Sequence, residues 1–96
     1  MTDPICIVAT ITPRPEHLAA ARAAILGILP ETVAEPGCRT FRLLEGGDGR
    51  LRLYEEWTGE DALEAHHAKE YTRAVFAAYE DWLAEPVDIV RLSRLA

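Results

Sequence analysis

The chain has 96 residues, of which 49% are hydrophobic and 27% charged, a composition typical of one folded domain over residues 1–96 and not of a disordered segment. Its 16 acidic and 10 basic residues give a formal net charge of −6. Nucleic acids and anionic membranes require cationic surfaces, so neither is an expected partner. The first residues carry no positive segment and only a short apolar run, which predicts a soluble, cytoplasmic protein without a signal or spanning helix.

The first predicted elements are a strand and a helix. Residues 5–12 form an almost continuous apolar, β-branched run, which predicts a strand covered on both faces. Pro15 suits the first turn of a helix, and an amphipathic stripe follows at intervals of three and four residues. The stripe consists of Leu18, Ala21, Ile25, Ile28 and Leu29. Pro30 removes a backbone donor, so we expect a kink or restart there and a last helical piece through about Ala34.

Residues 38–45 and 51–57 predict two strands joined by a hairpin, because the glycine-rich loop at 46–49 tolerates positive φ angles. Alternation along the second of these strands separates two faces. One face carries Leu51, Leu53, Glu55 and Trp57, and the other carries Arg52, Tyr54 and Glu56.

A second helix and a last strand complete the chain. Thr58 is a suitable N-cap, and Asp61 three residues later resembles a capping box. The helix carries the adjacent His66 and His67 and continues, after a bend near Lys69, with a wide aromatic stripe. A proline ends it, and residues 87–95 predict the final strand.

Cys6 and Cys38 are the only cysteines, too few for a disulfide scaffold and without a CxxC pair. Small apolar strand residues are the favoured interpretation, because no activating base can be placed beside either thiol.

The element order β-α-β-β-α-β predicts an α+β, ferredoxin-like fold with an antiparallel sheet and both helices on one face. That arrangement leaves the other sheet face bare. Since the first strand has no clearly solvated side, we expect a homodimer in which two sheet faces pack together.

Three segments carry a family resemblance: VATITPRPEHL, EPGCRTFRLLE and YEEWTGEDALEAHH. With the aromatic second helix, they make the whole chain resemble the antibiotic biosynthesis monooxygenase domain, whose small members include cofactor-independent quinol monooxygenases. The resemblance implies a dimeric α+β barrel with a ligand pocket between sheet and helices. It also implies oxidation of a small aromatic quinol or phenol by dioxygen without metal or cofactor.

The residue-level resemblance is partial. Trp57 matches the tryptophan that ends the family's third strand, and His66 matches its usual Ala-His motif. Where the family often has Thr-Pro-His, this chain has Lys-Glu-Tyr at 69–71. Tyr71 therefore replaces a second pocket histidine, unless His67 takes over its role. Haem-degrading relatives need an asparagine and a histidine where this chain has Val8 and Phe76, so haem ligation is not expected.

Direct oxidation of a quinol needs a base for the phenolic proton, an apolar slot for the ring, and donors for the developing peroxide. His66 is the candidate base, and Glu55 is a carboxylate that orients it or acts as an alternate base. The candidate substrate-binding residues are Leu53, Trp57, His67, Tyr71 and Phe76. Adjacent histidines point in different directions and no third ligand stands at usable spacing, so no metal site is predicted.

Structural interpretations remain open for each candidate. His66 could be a half-buried helix residue bonded to a carbonyl, and Arg42 or Arg52 could neutralise Glu55. A non-catalytic small-molecule-binding or stress-associated dimer is the alternative function, favoured by the Lys-Glu-Tyr replacement. A haem-binding relative is the third.

Overall fold

The computed structural model describes residues 3–96. The four strands of that part of the chain are β1 (Ile5–Ile11), β2 (Cys38–Glu45), β3 (Leu51–Trp57) and β4 (Asp88–Leu92). A 3₁₀ turn at Pro15–His17 leads into helix α1 (Leu18–Val33), and α2 (Glu60–Ala68) and α3 (Glu70–Trp82) follow β3. The strands form one antiparallel sheet in the order β2-β3-β1-β4. The α+β, ferredoxin-like arrangement predicted from the sequence is thereby confirmed.

The hydrophobic core lies between one sheet face and the helices. Strand pairing sets Ile7 opposite Glu55 and Ala9 opposite Leu53, so the inward side chains of β1 and β3 share this face. They pack with Ala21 and other helix residues in a single buried cluster. The predicted alternation of β3 is therefore correct, and it brings a carboxylate into the core beside apolar neighbours.

The opposite sheet face is formed by the strand side chains that alternate with those of the core. Val8 pairs there with Tyr54 on one side and Val90 on the other. Leu44, Val90 and Leu92 are 55%, 45% and 47% exposed on this face. An apolar sheet surface of this kind is unusual for a protein that remains monomeric.

Two local expectations differ from the structure. Helix α1 runs through Pro30 to Val33 without a restart. The carbonyl that Pro30 cannot bond belongs to Leu26, and both residues are exposed, so water can satisfy it. Thr58 does not cap α2, because Gly59 is the N-cap residue and the Thr58 N–H donates to the Gly37 carbonyl at 2.9 Å.

Two predicted boundaries in the second half of the chain can be compared with the structure: the bend near Lys69 and the end of the last strand. Lys69 has an extended backbone (φ −64°, ψ 141°) and separates α2 from α3, which confirms the predicted bend. Strand β4 covers only Asp88–Leu92, shorter than the predicted 87–95, because residues 93–96 have no strand partner. The break at Lys69 gives α2 and α3 independent directions over the sheet.

Gly37→Ala is expected to destabilise the fold by about 2–4 kcal/mol, since left-handed backbone and overpacking each cost about 1–3 kcal/mol. Gly37 has φ +86°, and a Cβ there would lie 2.5 Å from the Ala62 Cβ and 2.7 Å from the Thr58 Oγ1. Gly49→Ala is the matched control, because Gly49 has φ +75° but no atom within 4 Å of an added Cβ. Denaturant midpoints at one protein concentration measure both losses. Equal losses would contradict the close approach of α2 to Gly37.

Candidate functional site

A cavity of about 110 Å³ lies between the inward sheet face and the helices. Most of its wall is apolar, formed by Ile7, Ala9, Ile11, Ile25, Ile28, Phe41, Leu53, Leu63, Val75, Phe76 and Ile89. Its polar lining residues are Glu55, His66, His67, Thr72, Tyr79 and Arg91. A space of this kind suits a flat apolar ligand that carries a few polar atoms.

His66 is 4% exposed and forms part of the cavity wall. Its Nδ1 lies 2.9 Å from Oε2 of Glu35, whose side chain is equally buried. The ring also packs on Trp57, with centroids 4.7 Å apart and planes inclined by 34°. Because Nδ1 is hydrogen-bonded to Glu35, Nε2 is the ring nitrogen that remains available to a ligand.

Glu35 was not among the predicted site residues. It lies in the turn between α1 and β2, where neither helical nor strand periodicity assigns a direction to its side chain. The same Oε2 that meets His66 also accepts a hydrogen bond from the Tyr71 hydroxyl. The pKa of Tyr71 is raised to about 12, mainly by burial and secondly by the hydrogen bond to Glu35. Tyr71 therefore remains a donor at neutral pH.

Glu55 projects into the core from β3 and is only 7% exposed. One of its oxygens accepts the Trp57 indole N–H at 3.0 Å. Glu55 was predicted to orient His66, but Glu35 holds that position, so this prediction is wrong. The alternative pairing with arginine is also wrong, because Arg42 and Arg52 extend from the opposite sheet face.

Burial raises the pKa of Glu55 above its ordinary 4.5, while the Trp57 hydrogen bond and His66 act in the opposite direction. A raised pKa means that the folded state favours the neutral acid. Wild-type stability should therefore decline, relative to Glu55→Gln, as pH rises from about 4.5 through the raised value. Glutamine keeps an acceptor for the Trp57 indole, so the comparison isolates the charge. Urea unfolding of both proteins at pH 4.5 and 7 measures the difference, and a pH-independent difference would contradict the desolvated carboxylate.

The remaining predicted residues divide into two groups. Leu53, His67 and Phe76 line the cavity, and Phe76 is 42% exposed, with its ring edge-to-face 5.8 Å from His67. Burial lowers the pKa of His67, which favours its neutral form. Trp57 and Tyr71 do not line the cavity, because the indole is wholly buried behind His66 and the phenol turns to Glu35. Trp57 and Tyr71 therefore lie behind the residues that line the cavity.

Strand β4 closes one side of the cavity, which sequence reasoning missed. Ile89 and Arg91 lie two residues apart on the inward face, and Ile89 is 54% exposed at the cavity mouth. The Arg91 guanidinium pairs with Glu60 on α2. The sequence signal for this arrangement is the alternation of residues along the last predicted strand, which sets Ile89 and Arg91 on one sheet face. Val8, one of the two haem-related positions, lies on the opposite sheet face from the cavity, away from Phe76.

Other reactive groups in residues 3–96 have structural surroundings. Burial, with Glu35 and Glu55 nearby, raises the pKa of the Cys38 thiol to about 11, which keeps it protonated. No three histidine, cysteine or acidic side chains in this part of the chain group closely enough for a metal ion. Within the same residues, no helix has the length and apolar character to cross a bilayer.

The antiparallel sheet, the overlying helices and the cavity with its buried carboxylate–histidine pair define a small α+β domain with a candidate ligand site between sheet and helices. The chain belongs to the antibiotic biosynthesis monooxygenase family, whose sequence profile matches residues 4–86. The resemblance drawn from the sequence is confirmed.

Individual relatives agree in length and fold. The protein Rv0793 of Mycobacterium tuberculosis is 33% identical over 96 residues, which span 99% of this chain and 95% of that protein, and its structure superposes with a TM-score of 0.92. The structure of PA3566 from Pseudomonas aeruginosa is 30% identical, with a TM-score of 0.91 over 100% of this chain and 98% of that one. A conserved protein from Methanosarcina mazei shares the fold at 21% identity, with a TM-score of 0.88 over 97% and 94% of the two chains.

Proposed function

We propose that this protein is a cofactor-independent monooxygenase that oxidises a small quinol or phenol with dioxygen. The observation that carries the proposal is His66, whose Nδ1 is bonded to Glu35 while its side chain lines a largely apolar cavity. A neutral imidazole with a free Nε2 is a suitable base for a phenolic proton near neutral pH.

The cavity volume supports a single-ring substrate. At about 110 Å³ it is comparable to an apolar protein cavity of roughly 150 Å³ that binds benzene. A single six-membered ring is therefore the group that best matches the cavity. A second ring would have to extend past Phe76 and Ile89, which form the exposed part of the wall.

The proposed reaction converts a 1,4-dihydroxybenzene and dioxygen into a hydroxyquinone and water. His66 takes the hydroxyl proton, and the electron-rich phenolate gives one electron to dioxygen. The resulting ring radical and superoxide join, forming a carbon–oxygen bond at the carbon beside the phenolate. His66 returns its proton to the outer oxygen of the peroxide. The ring carbon then loses its hydrogen as a proton, and the O–O bond breaks with its electron pair going to the outer oxygen. That oxygen leaves as hydroxide and takes up the released proton to become water, while the inner oxygen stays on the ring.

Two other polar groups of the wall support the peroxide stage. Thr72 is 3% exposed and carries a hydroxyl donor. The raised pKa of Glu55 favours a neutral carboxylic acid, which can also donate. A preorganised donor in a dry cavity stabilises developing negative charge on oxygen far better than water does. Glu55 thus acts as a donor to peroxide or, when ionised, as an alternate base.

We also propose that the protein is a homodimer through its open sheet face, which exposes Leu44, Val90 and Leu92. Light scattering should give twice the 10.7 kDa chain mass at micromolar concentration. A monomeric mass would contradict the proposed dimer.

We further propose a cytoplasmic location, because the free thiols of Cys6 and Cys38 suit a reducing compartment.

Oxygen uptake tests the proposed reaction. Hydroquinone added to the purified protein should consume dioxygen, whereas 1,4-dimethoxybenzene, which has the same ring but no ionisable hydroxyl, should not. Saturable quenching of tryptophan fluorescence by hydroquinone without oxygen uptake would contradict the oxygenase proposal and favour the non-catalytic ligand-binding protein. A Soret shift on adding haem would instead support a haem-binding role.

A further inference from the structure

We propose that Glu35 is a positioning residue that fixes His66 in the Nδ1–H tautomer, with Tyr71 holding Glu35 in its acceptor state. The tautomer itself follows from the hydrogen bonds. Its consequence for turnover rests on the proposed function, because it leaves the Nε2 lone pair of a cavity-lining residue free to act as a base.

The assignment depends on one shared oxygen. Oε2 of Glu35 meets both the Tyr71 hydroxyl and Nδ1 of His66. Tyr71 keeps its proton, because its phenol has a pKa of about 12, and so it donates to Oε2. An ionised carboxylate has no proton to donate, so its Oε2 accepts both from the phenol and from the ring, which places the proton on Nδ1.

Competing partners of the ring do not alter this assignment. The Thr72 hydroxyl is 3.5 Å from Nδ1, at the outer limit of a hydrogen bond. Glu55, the other carboxylate in the cavity wall, is bonded to the Trp57 indole instead. Trp57 and Phe41 pack against the imidazole, with centroids 4.7 and 5.5 Å away, and hinder rotation of the ring.

The tautomer matters because an unconstrained neutral histidine favours the Nε2–H form, whose Nε2 can donate but cannot take a proton. Hydrogen bonding at one ring nitrogen decides which form is present at the other. Glu35 would therefore convert a poor base into a competent one without touching the substrate. The sequence change at 69–71 places a tyrosine where it can support this carboxylate.

Long-range ¹H–¹⁵N correlation spectra of uniformly labelled full-length protein test the proposal. At a pH well above the ordinary histidine value of about 6.5, His66 should show a protonated Nδ1 and a lone-pair nitrogen at Nε2. A proton on Nε2, alone or together with one on Nδ1, would overturn the proposal. The wild-type spectrum decides this without any variant and without substrate.

Variants then connect the tautomer to turnover. Glu35→Leu should shift His66 to the Nε2–H form and lower kcat/KM for hydroquinone by about tenfold or more. Tyr71→Phe removes the donor that holds Oε2 of Glu35 in its acceptor state, so it should shift part of the His66 population to the Nε2–H form. Glu16→Leu, at an exposed carboxylate in the 3₁₀ turn before α1, should leave spectrum and rate unchanged. A normal rate in folded Glu35→Leu would contradict the positioning role, whereas the predicted tautomer with no oxygen uptake in wild type would contradict only the oxygenase proposal.

Discussion

Replacing His66 with glutamine is expected to lower the rate of oxygen uptake with hydroquinone by about 100-fold, the usual contribution of a general base. Glutamine is polar and of similar reach, but it cannot accept the phenolic proton. Nδ1 of His66 lies 2.9 Å from Glu35, which fixes the ring, whereas Glu55 is bonded to the Trp57 indole and has a raised pKa that favours the neutral acid, which cannot take up a proton. Initial rates from an oxygen electrode, with the folded state checked by circular dichroism, measure the effect.

His17→Gln is the matched control for this substitution. His17 lies in the 3₁₀ turn before α1 and does not line the cavity, so its replacement should leave the rate unchanged. Equal rates for His66→Gln and wild type would remove His66 from the mechanism. Equal losses in the two variants would show that the assay responds to general damage and not to the base.

Trp57→Ala is expected to reduce the free energy of unfolding by about 3–5 kcal/mol, the range for truncating a large aromatic core residue. Trp57 is wholly buried, and its loss also removes the indole donor from the Glu55 carboxylate and the surface on which His66 packs. Since small domains have only about 5–15 kcal/mol of stability, this variant should be close to unfolding at 37 °C. Chemical denaturation at a fixed protein concentration measures the loss.

Trp82→Ala provides the comparison, because Trp82 packs against the same core but remains partly exposed at the end of α3. Its loss should be clearly smaller. If both tryptophans proved equally important, or if Trp57→Ala were nearly neutral, the structural role assigned to Trp57 would be wrong.

Patterns in the sequence were sufficient for the fold because each element has a strong local signal. Alternation in β3 assigned Leu53 and Glu55 to the core, and the glycine loop fixed the hairpin. The helix cap at Thr58 failed because its backbone is engaged by Gly37, a contact between distant segments. Pro30 was tolerated because the carbonyl it leaves free is solvent-exposed. Local propensity therefore predicts the elements well and their ends less well.

The site was only partly predictable for the same reason. His66 and Glu55 lie on elements whose periodicity points them inward, and the structure places both in the cavity wall. Glu35 lies in a turn, so only tertiary packing could reveal that it bonds His66 across 31 positions of sequence. Tyr71 follows the break between α2 and α3, and the direction of its phenol depends on that break.

Isotope labelling of the product tests the central claim most directly. Hydroquinone turned over by the wild-type protein under ¹⁸O₂ in ordinary water should yield a hydroxyquinone that contains one ¹⁸O atom, with the second recovered in water. The label should be read by mass spectrometry at early times, before exchange with solvent, and the His66→Gln variant should form about 100-fold less labelled product. Unlabelled hydroxyquinone, or unmodified benzoquinone as the only product, would contradict a monooxygenase reaction in this cavity.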